Sequence, residues 1–107
     1  MDRKLVAQFE REMWRLYEEP KKRCGYNATY FRRMLEEDGA LETARRLAGD
    51  PKHHEGLTRL WEYQALDLSV EALVLRDPWN QLFTPDVLAI ARKKLCDLKY
   101  SEPAPGK

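Results

Sequence analysis

Three acidic residues that bracket a turn, Glu62, Asp67 and Glu71, are the candidates for acid–base chemistry in this chain of 107 residues. They lie close to Trp61 in the sequence. A carboxyl group held against an apolar ring can act as a general acid or base near neutral pH. No nucleophile pattern, glycine-rich phosphate loop or metal-ligand spacing accompanies these residues, so the constellation by itself specifies no reaction.

The same carboxylates also fit a structural role. Asp67 and Glu71 flank the start of a predicted helix, where the helix dipole stabilises negative charge. Glu62 can pair with an arginine such as Arg59 or Arg45. We therefore place a small enzyme third among the functions considered, and we predict no cofactor.

Metal binding would have to use the adjacent pair His53 and His54, together with Cys24 or Glu55. Neighbouring histidines in a loop point in opposite directions. The sequence has no Cys-x-x-Cys or His-x-x-x-His pattern that would support them. We predict a polar loop and no metal site.

Basic residues suggest a helix-turn-helix unit centred on Gly39, with Arg45 and Arg46 on a recognition helix. Further basic side chains could contact phosphates. These are Lys21, Lys22, Arg32 and Arg33. However, the helix-turn-helix motif has apolar residues at the positions that Asp38 and Arg45 occupy in this chain. The alternative is two packed amphipathic helices whose arginines are solvated.

Net charge is only +1, which excludes a generic polyanion binder. Its distribution is less even. Residues 21–59 hold nine basic and six acidic residues, residues 62–91 hold one and five, and residues 92–100 return to a net of +3. This pattern could form a dipolar surface or reflect charge pairing between packed helices.

Aromatic residues are concentrated in the middle of the chain. We expect Trp61 and Trp79 to be mostly buried, since a small helical core needs their area. Tyr26, Tyr30 and Tyr63 are better candidates for a surface patch, and tyrosines beside arginines are common in protein interfaces. The predicted partner-binding residues are therefore Tyr26, Tyr30, Arg32, Arg33, Arg45, Arg46 and Tyr63.

Helical periodicity runs through the elements that must position these side chains. Apolar spacing predicts a first helix from Arg3 to Glu19, ended by Pro20. Asn27 should cap a second helix over 28–38, and Gly39 should end it in a left-handed conformation. Val6, Trp14 and Tyr17 widen the apolar stripe of the first helix, as in a central core helix or a homodimer face.

Shorter helices should follow. Periodicity predicts one over 41–48, a loop over 49–56 and a brief helix after it. Ser69 should cap a helix that ends before Pro78, although residues 70–75 are β-branched enough to suggest a strand. Thr84 and Pro85 should start a last helix that runs to about Lys99.

Together these elements predict an all-α fold, an irregular bundle of five to six helices in a single domain over residues 1–100. Residues 101–107 should form a disordered tail. No apolar run is long enough for a membrane span, and the N-terminus lacks the apolar segment of a signal peptide, so we expect a cytoplasmic protein. Cys24 and Cys96 should then be reduced and at least partly buried.

Five segments resemble an uncharacterised family of bacterial cytoplasmic helical proteins of about 100 residues. They are Cys-Gly-Tyr-Asn-Ala-Thr-Tyr-Phe (24–31), Thr-Ala-Arg-Arg-Leu (43–47), Gly-Leu-Thr-Arg-Leu-Trp-Glu (56–62), Leu-Asp-Leu-Ser-Val-Glu-Ala-Leu-Val-Leu (66–75) and Trp-Asn-Gln-Leu-Phe-Thr (79–84). The resemblance extends over residues 9–100. It implies a bacterial or phage protein whose domain stands alone, and it carries no catalytic assignment.

The leading functional prediction is a non-enzymatic interaction or accessory protein that binds a protein or nucleoprotein partner. The alternative is a nucleic-acid-binding module that uses the basic segment 21–59. We expect no membrane association, and a homodimer is compatible with the wide stripe on the first helix.

Overall fold

Six α-helices and two short 3₁₀ helices make up the part of the chain that the structure, a computed structural model, describes: residues 3–52 and 55–98. The α-helices are α1 (Arg3–Cys24), α2 (Thr29–Asp38), α3 (Ala40–Ala48), α4 (Glu55–Glu62), α5 (Val70–Leu75) and α6 (Pro85–Asp97). The 3₁₀ helices are Leu66–Leu68 and Trp79–Leu82. These residues contain no strand, which confirms the predicted all-α bundle. The predicted tail 101–107 lies outside the described residues.

The shortest α-helix, α5, lies at the centre of the core. Val70, Ala72, Leu73 and Val74 are all buried, and α5 packs against both α3 and α6. A helix that is buried on almost every side has no amphipathic period. This is why the sequence alone leaves helix and strand open for this segment.

The predicted start signals of α5 and α6 are confirmed. The Ser69 hydroxyl accepts a hydrogen bond from the Ala72 amide at 3.1 Å, and Thr84 Oγ1 accepts one from the Val87 amide at 3.4 Å. Both satisfy amides that the first helical turn leaves without a partner. α6 ends at Asp97, and Lys99 lies outside the described residues.

The prediction that Pro20 ends the first helix is wrong. α1 continues through Pro20 to Cys24, and Pro20 is buried. Proline removes one backbone hydrogen bond, to the carbonyl four residues earlier, but burial of its ring against the core offsets that loss. The helix ends at Gly25 instead, which has a φ of +69° and donates its amide to the Lys21 carbonyl at 3.1 Å. This is the left-handed C-terminal motif for which glycine is preferred.

Asn27 does not cap α2, contrary to the prediction. Its Oδ1 accepts a hydrogen bond from the Tyr17 hydroxyl at 2.8 Å, and α2 begins at Thr29 without a side-chain cap. Tyr17 is buried on α1, so its hydroxyl needs a partner there. Asn27 supplies that partner and fixes the α1–α2 connection to α1. The predicted positive φ at Gly39 is confirmed at +84°.

Two burial predictions are also wrong. Trp61 is 49% exposed, because α4 turns Leu57 and Leu60 inward and leaves Trp61 on its outer flank. Cys96 is exposed on α6, whereas Cys24 is partly buried as predicted, and both thiols are free.

Candidate functional site

A buried ion pair joins α5 and α6. Lys94 Nζ lies 2.7 Å from Glu71 Oε2, and the two side chains are 3% and 6% exposed. The same ammonium donates to the carbonyls of Leu47 at 2.8 Å and Asp50 at 3.1 Å. Its three donors are therefore all used, two of them on the C-terminal end of α3. Lys94 is held as a structural cation.

In the sequence, Lys94 counts among the basic residues of the segment 92–100, and its burial was not predicted. A signal for its burial was present. Lys94 follows Ala91 by three residues and precedes Leu98 by four, so it falls on the same helix face as these two apolar residues. A lysine on an apolar face beside a partner carboxylate is the pattern that would have identified the pair.

The three candidate carboxylates lie in three different environments. Glu71 is in the buried pair, whereas Asp67 faces Arg23 at 3.5 Å in a half-exposed ion pair. Glu62 is exposed on α4 and pairs with neither Arg59 nor Arg45, contrary to the structural alternative considered for it. Arg45 pairs with Glu42 instead. These carboxylates are therefore not assembled around one reacting atom.

An open cleft of about 490 Å³ lies between the α1–α2 connection and α4, and we call it the aromatic cleft. Glu71 and Val70, at the start of α5, form part of its wall. Its remaining lining residues come mostly from the end of α1, the segment 26–31 and α4. They are Leu16, Pro20, Tyr26, Asn27, Ala28, Thr29, Tyr30, Phe31, Leu47, Gly56, Leu57, Arg59, Leu60 and Leu68.

Two exposed aromatic rings lie at this cleft. Tyr30 is 65% exposed on its wall, and Tyr63, just after α4, is 44% exposed; Trp61 is 49% exposed on α4 but does not line the cleft. The Tyr63 ring lies 6.2 Å from that of Tyr26, centroid to centroid, at an interplanar angle of 34°. Among the described residues, Tyr30, Trp61 and Tyr63 are the large hydrophobic side chains that stay exposed.

The arginines of the predicted recognition helix, Arg45 and Arg46, form ion pairs with neighbouring acidic residues. Arg45 Nε donates to Glu42 Oε2 at 2.9 Å, and Arg46 Nη1 lies 3.1 Å from Asp38 Oδ2. The hydrogen bond from Arg45 lowers the pKa of the Glu42 carboxyl below its ordinary value, and it raises the pKa of Arg45. The α2–α3 surface is therefore largely charge-compensated.

The two arginines of α2 differ in whether they form an ion pair. Arg32 pairs with Glu36 at 3.2 Å, one turn along the helix. Arg33 is exposed and makes no ion pair with a described residue. Of the predicted partner-binding residues, the structure places Tyr26 and Tyr30 on the aromatic cleft and Tyr63 against Tyr26. It does not place Arg32, Arg33, Arg45 or Arg46 among the residues that line the cleft.

Within residues 3–52 and 55–98, no three His, Cys, Asp or Glu side chains are grouped so that they could hold a metal ion. His53 and His54, the histidines considered for metal binding, lie outside these ranges. None of the helices described is both long and apolar enough to cross a bilayer.

Comparisons of the chain with models of protein families, with curated proteins and with solved structures found no match. The resemblance to a family of short bacterial proteins therefore stays a prediction. The aromatic cleft and the charges around it are the features from which we infer a function.

Proposed function

We propose that this protein is a non-enzymatic interaction module that binds a segment of a partner protein in the aromatic cleft. The observation that carries the proposal is the exposure of Tyr30 and Tyr63 at an open, mostly apolar cleft. Exposed aromatic side chains beside a hydrophobic recess are typical of binding surfaces, where they become the residues that dominate the affinity.

The ionisable groups support binding over catalysis. Lys94 is saturated by three acceptors, and Glu71 is paired with it at 2.7 Å. Asp67 is engaged by Arg23, and its carbonyl accepts a hydrogen bond from Arg76 at 2.9 Å. A general acid or base needs a carboxylate that can reach a substrate, and the groups near the cleft are instead engaged in holding the fold.

The nucleic-acid alternative receives less support from the same geometry. Binding to a phosphate backbone releases counterions in proportion to the uncompensated cations that face it. Arg32, Arg45 and Arg46 are each paired with a neighbouring acid. We therefore favour a protein partner, in the bacterial cytoplasm that the sequence predicts.

An affinity capture with cleft variants tests the proposal. The wild-type chain, the double variant Tyr30→Ser/Tyr63→Ser and the control Arg92→Ser are immobilised and exposed to the same bacterial lysate. Arg92 is a suitable control because it is exposed on α6 and does not line the cleft. Circular dichroism checks that all three are equally folded.

We expect a protein that binds the wild type and the Arg92 control but is depleted about ten-fold or more on the double variant, since removing two aromatic anchors has effects of this size. Capture that is identical on all three proteins would overturn the proposal. Recovery of nucleic acid that is lost on Arg45→Ala/Arg46→Ala would favour the alternative function.

A further inference from the structure

One basic side chain, Arg59, lies in the wall of the aromatic cleft. It projects from α4, is exposed, and makes no hydrogen bond or ion pair with any residue whose side chain the structure describes. Other arginines on neighbouring elements are engaged: Arg23 by Asp67, Arg32 by Glu36 and Arg46 by Asp38. Arg59 is thus a guanidinium that has no partner among the described side chains and is placed against apolar wall residues.

The only acidic residue among those that line the cleft is Glu71. Its charge is balanced by Lys94 at 2.7 Å, and it is almost entirely buried. The charge that a ligand at the mouth of the cleft would meet is therefore that of Arg59. A guanidinium offers a planar pair of donors, which match the two oxygens of a carboxylate.

A phosphorylated or nucleic-acid ligand fits these charges less well. Recognition of a phosphate group, which carries up to two negative charges, usually recruits a cluster of arginines. Among the residues that line this cleft there is one arginine and no other basic side chain. The charge pattern therefore selects a single carboxylate.

The apolar recess beside Arg59 indicates which second group the ligand contains. The recess beside Arg59 is formed largely by Leu16, Phe31, Leu57 and Leu60, with aromatic rings at its mouth. Its volume of about 490 Å³ is within the range of clefts that enclose a compact apolar group. A large apolar side chain would remove these surfaces from water.

We infer that the partner segment pairs an apolar residue with an acidic one, the apolar side chain entering the aromatic cleft while the adjacent carboxylate binds Arg59. This inference rests on the proposed function, because it names the chemistry of the segment that the cleft receives. It assigns Arg59 to specificity, by selecting acidic partners, and the aromatic rings to affinity.

A peptide-display selection tests the inference without a known partner. A library of random 12-residue peptides is selected on the wild-type chain and depleted on Tyr30→Ser/Tyr63→Ser, which removes peptides that bind elsewhere. We expect enriched peptides to combine a large apolar residue with an excess of Asp and Glu nearby. Enrichment of neutral or basic peptides would overturn the inference and leave the proposed function standing. A selection that yields no cleft-dependent peptide would count against both.

A double-mutant cycle then assigns the contact to Arg59. An enriched peptide labelled with fluorescein is titrated by fluorescence anisotropy. We expect Arg59→Gln to raise its Kd about five-fold, as for a partly exposed ion pair, and Arg59→Glu to raise it more than about ten-fold. The control Arg92→Gln should leave Kd unchanged.

Amidation of the peptide's acidic residue, Asp→Asn or Glu→Gln, completes the cycle. It should weaken binding to the wild type by the same factor as Arg59→Gln and have no further effect on Arg59→Gln itself. Independent, additive effects of the two changes would overturn the assignment of the carboxylate to Arg59, even if the aromatic cleft is still required.

Discussion

At the scale of single residues, the Lys94–Glu71 pair is the interaction most sensitive to substitution. Both side chains are almost fully buried, and the ammonium also holds two carbonyls at the end of α3. Removing one partner of a buried pair leaves the other as an uncompensated charge, which costs more than the pair itself contributes.

We predict that Lys94→Met lowers the free energy of unfolding by about 3–5 kcal/mol. The matched control is Lys93→Met, because Lys93 is the exposed neighbour and forms only a surface pair with Asp97 at 3.7 Å; its loss should change stability by less than about 1 kcal/mol. Urea unfolding followed by circular dichroism measures both. Equal, small effects would show that the buried pair does not hold α3, α5 and α6 together.

Thr43 is the second residue whose burial has a consequence. Its side chain is fully buried, and its hydroxyl has no hydrogen-bond partner. Replacing it with valine keeps the shape and removes the unpaired polar group, so Thr43→Val should raise the free energy of unfolding by about 1 kcal/mol. Thr43→Ser, which keeps the hydroxyl and loses the methyl group, should lower it. The same urea titration would contradict this reasoning if valine destabilised the protein.

Side-chain burial is also where the sequence was least informative. Trp61 is exposed although we expected it to be buried, because the apolar face of a short helix such as α4 is too narrow to assign from periodicity alone. A helix of eight residues, such as α4, has about two turns, so one residue of rotation moves Trp61 between core and solvent.

At the scale of elements, signals that act within one helical turn were easier to identify than those that depend on contacts between elements. Ser69 and Thr84 act through local hydrogen bonds to the next turn, which are independent of tertiary context. Pro20 and Asn27 depend on distant contacts: one is buried in the core, and the other binds Tyr17 on α1. Such contacts cannot be inferred without the fold.

Two glycines allow the end of α1 to be tested. Gly25 has a φ of +69°, and a Cβ at that position would meet no atom within 4 Å, so Gly25→Ala has only backbone strain to overcome. It should lower stability by about 1–2 kcal/mol. Gly56 lies within α4 with equally open surroundings and no positive φ, so Gly56→Ala should raise stability by about 0.5–1 kcal/mol.

Thermal unfolding of both alanine variants measures this contrast. Opposite shifts in Tm would support Gly25 as the residue that ends α1. A stabilising effect of Gly25→Ala would mean that the chain does not need a left-handed residue there, and the reason given for the end of α1 at Gly25 would be wrong.

At the scale of the whole molecule, the all-α class and a single core could be predicted because apolar spacing recurs in every long segment. The aromatic cleft could be predicted only in part. Tyr26, Tyr30 and Glu71 were named from the sequence, but Arg59 was considered only as a partner for Glu62. The cleft forms where the α1–α2 connection meets α4, and such a meeting of distant segments has no local signature.

Packing is unevenly distributed over the molecule, and this leads to the last prediction. α5 is enclosed by α3 and α6, whereas α4 packs mainly on the 3₁₀ helix Leu66–Leu68 and forms one wall of the cleft. Amide hydrogen exchange should therefore be slowest in α5 and much faster in α4, since local opening requires less buried surface to be exposed.

A peptide bound in the aromatic cleft would contact α4 and hold it against the bundle. Hydrogen exchange followed by mass spectrometry should then show slower exchange in α4 when the peptide is added, with α6 as the internal control whose exchange stays the same. Protection confined to α2 and α3 would instead locate the ligand on the arginine-rich surface. That result would favour the helix-turn-helix interpretation over the cleft, because the ligand would then compete with Glu42 and Asp38 for Arg45 and Arg46.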